Sequence, residues 1–324
     1  MLIYENALWL LLAALLLDAV VGDPDWLWRR LPHPVVWIGK VISFFDGKLN
    51  QTSLGSTRRK NAGTVLLVVL VLGGLILGAV LHLVLASIPF GSVFVVIIAA
   101  VFIAQNSLYR HVAAVRDGLE SGGLEGGRKA VAMIVGRDPE QLDEAGVSRA
   151  AIESCAENFS DGVVAPVFWF ALLGLPGLLA YKAVNTADSM IGHKNETYQD
   201  FGWASARFDD LINLPASRLS GLFIALSAPL AHGSPARSLR CMVRDAGKHR
   251  SPNAGWPEAA MAGALDIALA GPRAYPGYTV DDPYMNEAGR KQATANDIDR
   301  TVFVMIGACG VQALLVLVSA IFLH

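Results

Sequence analysis

The stretch that determines the fold class is GTVLLVVLVLGGLILGAVLHLVLASIPFGSVFVVIIAAVF, residues 63–102. It contains no Asp, Glu, Lys or Arg, and roughly 20 helical residues are enough to cross the hydrocarbon of a membrane. Two full spans are predicted here, at about residues 63–88 and 92–108. Pro89-Phe90-Gly91 is the expected tight turn between them, and its lack of charge is typical of a helical hairpin.

The composition of the whole chain indicates the same class. Of the 324 residues, 53% are hydrophobic and 17% are charged, whereas about a quarter of a typical soluble domain is charged. The mean hydropathy is +0.44. Two more full spans are predicted at about residues 4–22 and 301–323. The first is expected to be a retained helix, because it lacks the basic start and small-residue cleavage site of a signal peptide. The chain is therefore predicted to be an integral membrane protein.

Charge and cysteine content exclude some function classes. The formal net charge of −2 gives no reason to expect nucleic acid as a partner. Three widely spaced cysteines match no zinc pattern and are interpreted as small apolar residues (Cys155, Cys241 and Cys309). The sequence contains no P-loop, no G-x-G-x-x-G, no H-E-x-x-H and no G-x-S-x-G motif. A nucleotide, if one is used, must therefore be held outside the standard loops.

Two further apolar stretches, residues 163–180 and 211–231, either span the membrane or dip in and return. The first carries a Gly-Leu-Pro-Gly set at Gly174 to Gly177, where the chain can turn back within the membrane. The second contains Arg218, and an arginine in an apolar stretch is costly and suggests a function. It is expected to pair with a substrate anion, or with Asp210 if the chain bends at Pro215.

The distribution of Lys and Arg predicts which loops are cytoplasmic, but it favours re-entry of these two stretches over spanning only slightly. Lys and Arg number seven in residues 23–62, six in 106–162 and nine in 232–300. If all six apolar stretches span, these loops share the cytoplasmic side with 22 of the 26 positive charges, and residues 181–210 lie outside. If both uncertain stretches return, that segment joins the cytoplasmic side and the count becomes 25 of 26.

The segment NTADSMIGHKNETYQDFGWASARFDD, residues 185–210, concentrates ionisable groups between apolar stretches. Asn185, Asp188 and Ser189 offer oxygen ligands of the kind that Mg²⁺ takes together with water and phosphate. The ionisable residues that follow are His193, Lys194, Arg207, Asp209 and Asp210. The alternative interpretation is a plain solvated loop.

The motif ENFSDG, residues 157–162, pairs two carboxylates. Glu157 and Asp161 are four residues apart and would share one face of a helix, with Asn158 beside them. Like charges at that spacing repel, which favours a cation between them. The alternative is that Ser160 and Asp161 cap the start of the next helix.

Two more polar clusters lie next to apolar stretches. Residues 244–263 combine the cationic Arg244 and Lys248 with Asn253 and Glu258, and Arg and Lys are the usual residues that hold phosphate. Positive-inside topology alone is the alternative explanation for these cations. Near the N-terminus, GDPDWLWRRLPHPVVWIGK contains His33, interpreted either as a phosphate or metal contact or as part of a Pro-rich turn.

In this order, the clusters resemble the CobD/CbiB membrane family, the adenosylcobinamide-phosphate synthases of cobalamin biosynthesis. The motifs that carry the resemblance run nearly from end to end: GDP…HPVVWIGK, ENFSDGVVAP, YKAVNTADSMIGHKNETYQDFGWASARFDDL and RDAGKHRSPNAGWPEAAMAGAL. One departure is that Pro215 lies three residues before Arg218, where the family often has two.

The resemblance implies an ATP- and Mg²⁺-dependent amide synthesis at the cell inner membrane. A propionate carboxylate of adenosylcobyric acid is joined to (R)-1-amino-2-propanol or its O-phosphate, so the corrinoid is a substrate. The lipid bilayer is an expected partner, and a second copy of the chain or other enzymes of the pathway are candidate partners. A membrane transporter and a non-catalytic membrane sensor are the alternative functions.

The resemblance and the clusters together predict a set of site residues. Mg²⁺ is expected among Glu157, Asp161 and Asp188, and Asp209 or Asp210 is expected to orient or deprotonate the amine. Lys194 and Lys248 are expected to be catalytic and, with Arg207 and Arg244, to neutralise charge on the transferred phosphoryl group. Phosphate or substrate contacts are predicted at His33, Asn158, Asn185, Arg207, Arg218, Arg244, Asn253 and Glu258.

Because ATP is cytoplasmic, the shared site also favours a cytoplasmic 185–210 segment. The prediction is an all-α polytopic membrane protein with four full spans and two re-entrant or half-membrane elements. It forms a single domain over residues 1–324, with cytoplasmic excursions at about 23–62, 109–162, 181–210 and 232–300.

Overall fold

The computed structural model describes residues 6–51, 53–136, 138–275, 278–280 and 282–323, and it is all-α, as predicted. The helices are α1 (Ala7–Val21), α2 (Asp25–Trp28), α3 (Pro34–Leu49), α4 (Ser56–Ala86), α5 (Gly91–Val101), α6 (Gln105–Val131), α7 (Glu144–Phe159), α8 (Ala165–Ile191), α9 (Trp203–Ile212), α10 (Leu214–Ser227), α11 (Pro235–Asp245), α12 (Gly255–Leu265) and α13 (Ala295–Phe322). Four short strands pair antiparallel in two ribbons: β1 (Leu269–Ala270) with β4 (Tyr284–Met285), and β2 (Arg273–Tyr275) with β3 (Tyr278–Val280).

The chain divides into two compact units. Unit 1 comprises the described residues of Met1–Ile103, Ala165–Asn213 and Val316–His324, and unit 2 those of Ala104–Val164 and Leu214–Leu315. The organisation of the whole chain as one domain stays a prediction.

The length and apolar composition of the helices agree with the prediction of an integral membrane protein. In the described part of the chain, five helical stretches are long and apolar enough to cross a membrane: Ser56–Ala86, Gly91–Val131, Glu144–Ile191, Leu214–Ala231 and Ala295–Phe322. The span predicted at about 92–108 falls within the stretch Gly91–Val131, but it is not one continuous helix, because α5 ends at Val101 and α6 begins at Gln105. The predicted turn between α4 and α5 is present, and Phe90 there has a left-handed backbone with φ 60°.

In unit 1, α4 and α8 pack with their backbones in contact. A methyl group added at Gly74 would collide with the backbone of Ala180, and one at Gly78 with the backbone of Pro176. The contacts run in opposite directions along the two chains, so the helices are antiparallel. Small residues four apart allow such close approach in membrane helices. Near the N-terminal end of α4, an apolar cluster forms around Leu66, Ile191 and Phe201, all nearly inaccessible to solvent.

The predicted break at Gly174 to Gly177 is present inside α8. Gly174 has φ 65° and ψ −149°, a conformation that essentially only glycine adopts. Beyond it the chain turns back, because a methyl group at Gly177 would collide with the carbonyl oxygen of Trp169, eight residues earlier. Stretch 211–231 differs, since α10 is continuous over Leu214–Ser227 and is followed by a 3₁₀ turn. Re-entry of either stretch into a bilayer stays a prediction.

In unit 2, α7 and α12 are the most buried helices. α12 packs against α7, α10 and α11, and every residue from Pro257 to Leu265 is buried. Asp143 caps the start of α7, and its Oδ1 accepts a hydrogen bond from the backbone N–H of Gly146. Before α7, Asp138 caps a short 3₁₀ turn, Pro139–Gln141.

Candidate functional site

The segment that follows α8 is folded against the end of α3 and the start of α4, so it is not a plain solvated loop. Arg59 is buried, with 7% of its surface exposed, and it donates hydrogen bonds to the backbone oxygens of Glu196 and Thr197. Asp200 accepts a hydrogen bond from Ser56 at 2.7 Å. Tyr198 reaches Asp46 of α3 at 3.3 Å. Residues 192–201 therefore lie on the same side of unit 1 as residues 46–60.

Three carboxylates gather where α8 and α9 approach each other. Asp209 is buried, with 7% of its surface exposed, and its pKa is raised to about 7, chiefly by burial. The negative charge of Asp188 and, more weakly, that of Asp210 contribute to this increase, while the amides of Asn213 and Asn185 oppose it. The structure thus brings four of the predicted residues together, namely Asn185, Asp188, Asp209 and Asp210.

The cations predicted in this segment lie near Asp210. Burial raises the pKa of Asp210, and the charges of Arg207 and Lys194 oppose that increase. Arg207 is an exposed residue on the outer side of α9, and its Nη1 is 3.9 Å from Oδ2 of Asp210. These two cations are therefore placed to meet an anion that approaches from solvent.

Two residues of the cluster were missed by the sequence prediction. Tyr181 donates a hydrogen bond to Oδ1 of Asn213 at 3.0 Å, and Nδ2 of Asn213 donates to Oδ2 of Asp209 at 2.9 Å. Tyr181 and Asn213 are 2% and 1% exposed, so this chain of hydrogen bonds is closed to water. The sequence signal that could have identified them is a polar residue within or beside an apolar stretch. Such a residue is buried with its neighbours, and a buried polar group must find a hydrogen-bond partner.

His33 has a structural part in unit 1. Its Nδ1 accepts a hydrogen bond from the backbone N–H of Val35 and caps the start of α3. Its ring packs edge-on against Trp28, with centroids 4.6 Å apart, and Nε2 is 3.8 Å from Asp23. Burial lowers the pKa of His33 despite the nearby Asp23, so the ring is mostly neutral at pH 7. These contacts explain His33 as a helix cap, and its predicted phosphate contact stays a prediction.

In unit 2, the ENFSDG motif borders two cavities. One, of about 260 Å³, is lined by polar side chains that include Glu157, Asn158, His249 and Glu258. The other, of about 420 Å³, shares Asn158 with it. Asn158 is fixed by hydrogen bonds from its Nδ2 to the backbone oxygen and the hydroxyl of Ser154. Three predicted residues of unit 2 therefore line one polar cavity.

The backbone of the motif differs from the predicted regular helix. Ser160–Val164 form a π-helical turn directly after α7, so Glu157 and Asp161 are not related by the α-helical spacing of four. The alternative helix cap at Ser160 is wrong as well, because Ser160 itself has α-helical angles at the end of α7. Single π turns inside helices are frequent at functional sites.

The cations of the 244–263 cluster pair with a carboxylate that the sequence prediction overlooked. Asp245 is fully buried and accepts hydrogen bonds from Arg244 at 2.6 Å and from the backbone N–H of Asn286 at 2.8 Å. Lys248 lies 2.9 Å from its other oxygen. Burial alone would raise the pKa of Asp245, but these donors hold it well below its usual range. Arg244 and Lys248 are thus partly neutralised, and their predicted phosphate contacts stay a prediction.

Arg218 and Asn253, both predicted, are in direct contact in unit 2. Nη1 of Arg218 donates to Oδ1 of Asn253 at 3.0 Å, and the guanidinium lies 4.4 Å from the ring centroid of Trp256. Glu258 is 2% exposed and lies 3.7 Å from Nε2 of His249. The Arg218 group is therefore oriented by neutral partners, and its positive charge has no carboxylate within 4 Å in the described part of the chain.

The predicted site residues divide between the two units. Unit 1 holds His33, Asn185, Asp188, Lys194, Arg207, Asp209 and Asp210, and unit 2 holds Glu157, Asn158, Asp161, Arg218, Arg244, Lys248, Asn253 and Glu258. Among the described residues, no group of three or more His, Cys, Asp or Glu side chains is arranged to hold a metal ion. A cation would therefore need ligands from water or substrate in addition to protein.

Comparison with known proteins covers almost the whole chain. The family model described as CobD/Cbib protein matches residues 11–305. A protein named Cobalamin biosynthesis protein CobD, from Sinorhizobium sp, is 57% identical over 98% of this chain and 99% of its own length. Proteins of the same name from Rhizobium meliloti and Brucella suis are 56% and 50% identical, over 94% and 98% of both chains. No solved structure matches the chain.

Proposed function

The chain belongs to the CobD/CbiB family of cobalamin biosynthesis proteins, and from this membership we propose that it is an adenosylcobinamide-phosphate synthase. The proposed reaction joins a propionate carboxylate of adenosylcobyric acid to (R)-1-amino-2-propanol or its O-phosphate. ATP is the co-substrate, and the reaction takes place at the inner membrane.

The observation that carries the proposal is similarity along almost the whole length to proteins named for cobalamin biosynthesis. The arrangement of segment 185–210 supports it. A loop that only connects two membrane segments has no need to bury a carboxylate such as Asp209 beside another, and perturbed carboxylates in one place are typical of functional sites.

Amide formation requires an activated carboxylate, because a carboxylate is a poor electrophile. The simplest route transfers the γ-phosphoryl group of ATP to an oxygen of the propionate, which gives an acyl phosphate and ADP. The amine loses a proton and attacks the acyl carbon. The C–N bond forms while the C–O bond to phosphate breaks, so inorganic phosphate leaves. The corrinoid is consumed as a substrate throughout.

The residues present fit Mg²⁺, which when bound neutralises charge on the triphosphate. Asp209 is buried, and no described residue donates a hydrogen bond to its Oδ1. Such an unbonded carboxylate oxygen suits an oxygen-coordinated ion. Asp188, predicted from the sequence as a ligand, interacts electrostatically with Asp209. Glu157 and Asp161, the other two predicted ligands, belong to unit 2, and their metal role stays a prediction from the sequence.

The remaining predicted residues have these proposed roles. Lys194 and Arg207 neutralise charge that develops on the transferred phosphoryl group. Asp210, half-buried beside Arg207, accepts the proton of the incoming ammonium. In unit 2, Arg218 holds a substrate anion, since its guanidinium is oriented by Asn253 and Trp256 without a carboxylate within 4 Å among the described residues. The polar cavity beside Asn158 is a candidate site for the amine.

The proposal is tested with purified protein in detergent, supplied with Mg-ATP, adenosylcobyric acid and either aminopropanol or its phosphate. ADP release and amide product are followed while each component is omitted in turn. We expect turnover that requires all three substrates and that identifies the preferred amine. Corrinoid binding without ADP release, under every combination, would contradict the synthase and favour a transporter or a sensor.

A further inference from the structure

We propose that Asp188 and Asp209 together hold one divalent cation at the C-terminal end of α8. Water fills its other coordination positions and, in the proposed reaction, phosphate oxygens replace some of that water. The site differs from the set predicted from the sequence, because Asp209 takes the place of Glu157 and Asp161. The cation site itself is independent of the proposed function, and only the phosphate ligands rest on it.

The first observation is the unequal environment of the two oxygens of Asp209. Oδ2 is fixed by the amide of Asn213, which is in turn fixed by the hydroxyl of Tyr181. Oδ1 has less than 1 Å² of exposed surface and receives no hydrogen bond from any described residue. A buried polar atom without a partner destabilises the folded state. A cation at Oδ1 removes that cost, and the Tyr181–Asn213 chain holds the carboxylate in position for it.

The second observation is the space left for Asp188. The side chain of Asp188 occupies the position where a Cβ of residue 192 would lie, because such an atom at Gly192 would collide with Oδ1 of Asp188. The backbone N–H of Gly192 also donates to the carbonyl oxygen of Asp188 at 2.7 Å. Glycine at this position therefore lets the carboxylate lie along the end of the helix.

The third observation is the absence of a protein counter-charge. Within the described residues, neither Asp188 nor Asp209 forms an ion pair within 4.0 Å. His193 interacts with Asp188 only at longer range, while Arg207 and Lys194 interact with Asp210. Two neighbouring carboxylates without a protein counter-charge favour a cation between them.

The coordination that Mg²⁺ requires agrees with a two-carboxylate site. Mg²⁺ keeps several waters and is commonly bound by one or two carboxylates plus substrate phosphates. The described residues form no cluster of three or more metal-binding side chains, so a fully protein-bound ion is not expected.

The test measures binding of Mn²⁺ alone to purified protein in detergent, without ATP or corrinoid. Free Mn²⁺ gives a six-line EPR signal that is lost on binding, so titration yields affinity and stoichiometry. We expect one saturable site per chain. Its affinity should fall by about 10-fold or more in Asp188→Asn and in Asp209→Asn, and by about 10-fold in Tyr181→Phe, which acts through Asn213.

Asp200→Asn is the matched control, because Asp200 lies in the same segment but pairs with Ser56 and Lys60. It should bind Mn²⁺ as the wild type does. Gly192→Ala keeps both carboxylates and displaces Asp188 at its side chain and backbone oxygen, so it weakens binding even if an aspartate variant fails to fold. Wild-type affinity in Gly192→Ala and in a folded Asp209→Asn overturns the site. Mn²⁺ binding without any amide synthesis would retain the site and reject the synthase.

Discussion

The hydroxyl of Tyr181 donates a hydrogen bond to Oδ1 of Asn213 at 3.0 Å, deep inside unit 1. Both side chains are almost fully buried, and Nδ2 of Asn213 in turn donates a hydrogen bond to Oδ2 of Asp209. A polar chain of this kind, closed to water, fixes the orientation of the carboxylate at its end. Removing one atom of the chain, such as the hydroxyl oxygen of Tyr181, is therefore expected to disturb the position of the other side chains in it.

Tyr181→Phe removes only the hydroxyl and leaves Oδ1 of Asn213 without its donor. We expect the free energy of unfolding to fall by about 1–3 kcal/mol, the cost of a buried acceptor without a partner. Unfolding by SDS titration in mixed micelles measures the change. Tyr109→Phe is the control, since Tyr109 is exposed on α6, and it should stay within about 0.5 kcal/mol of the wild type. Equal stability of the two variants would contradict a structural use of the hydrogen bond.

Asp245→Asn should reduce stability in a pH-dependent manner. The pKa of Asp245 is lowered in the folded protein, so its ionised form contributes stability that is present above the unfolded pKa of about 3.9. That contribution is lost as the pH falls below about 4 towards the folded pKa. At pH 7 we therefore expect Asp245→Asn to lower the apparent melting temperature.

The measurement is the melting temperature of wild type and Asp245→Asn between pH 3 and pH 7. The difference between them should narrow as the pH decreases below about 4, because Asp245 of the unfolded wild type then takes up a proton that the folded protein does not bind. Asp117→Asn is a suitable control, since the side chain of Asp117 is 62% exposed beside Arg116. A difference for Asp245→Asn that does not depend on pH would contradict the ionic role.

The fold class and the large turns were predictable because they depend on local properties of the chain. An uncharged run as long as 63–102 has no stable place except a membrane, and Pro89-Phe90-Gly91 can only be a turn within it. Gly174 likewise breaks α8, because its angles are open to glycine and not to other residues. These features need no knowledge of distant parts of the chain.

The partners of the predicted side chains depend on tertiary structure and were not predictable. Asp245 lies in a basic helix, and nothing in its sequence position distinguishes it. In the structure it is the buried carboxylate that Arg244 and Lys248 contact. The π turn after Phe159 adds a residue to one helical turn, so a spacing of four no longer means a shared face. Sequence spacing identifies candidates, and packing decides which of them meet.

Gly74→Ala should destabilise the protein, whereas Gly73→Ala should not. A methyl group at Gly74 meets the backbone of Ala180 and forces α4 away from α8, which costs about 1–3 kcal/mol. A methyl group at Gly73 meets nothing within 4 Å, and alanine favours a helix by up to about 1 kcal/mol over glycine. SDS titration compares the two variants. Similar destabilisation by both would contradict the direct backbone contact of α4 with α8.

A cysteine at Glu196 should be accessible from the same side of the membrane as one at Arg58, and from the opposite side to one at Phe90. Glu196 accepts hydrogen bonds from Arg59 at its backbone oxygen, so it lies at the N-terminal end of α4. Phe90 is 81% exposed at the other end of this helix, whose 31 residues exceed the roughly 20 needed to cross the hydrocarbon.

The measurement uses an impermeant maleimide on intact cells, in a background where the three native cysteines are replaced by serine. Positive charge at Arg58, Arg59 and Lys60 predicts that the start of α4 is cytoplasmic. Phe90→Cys should therefore react in intact cells, while Glu196→Cys and Arg58→Cys should react only after permeabilisation. Reaction of Glu196→Cys in intact cells, with Arg58→Cys protected, would contradict the packing of segment 192–201 against α4. It would also remove the segment from the compartment that supplies ATP.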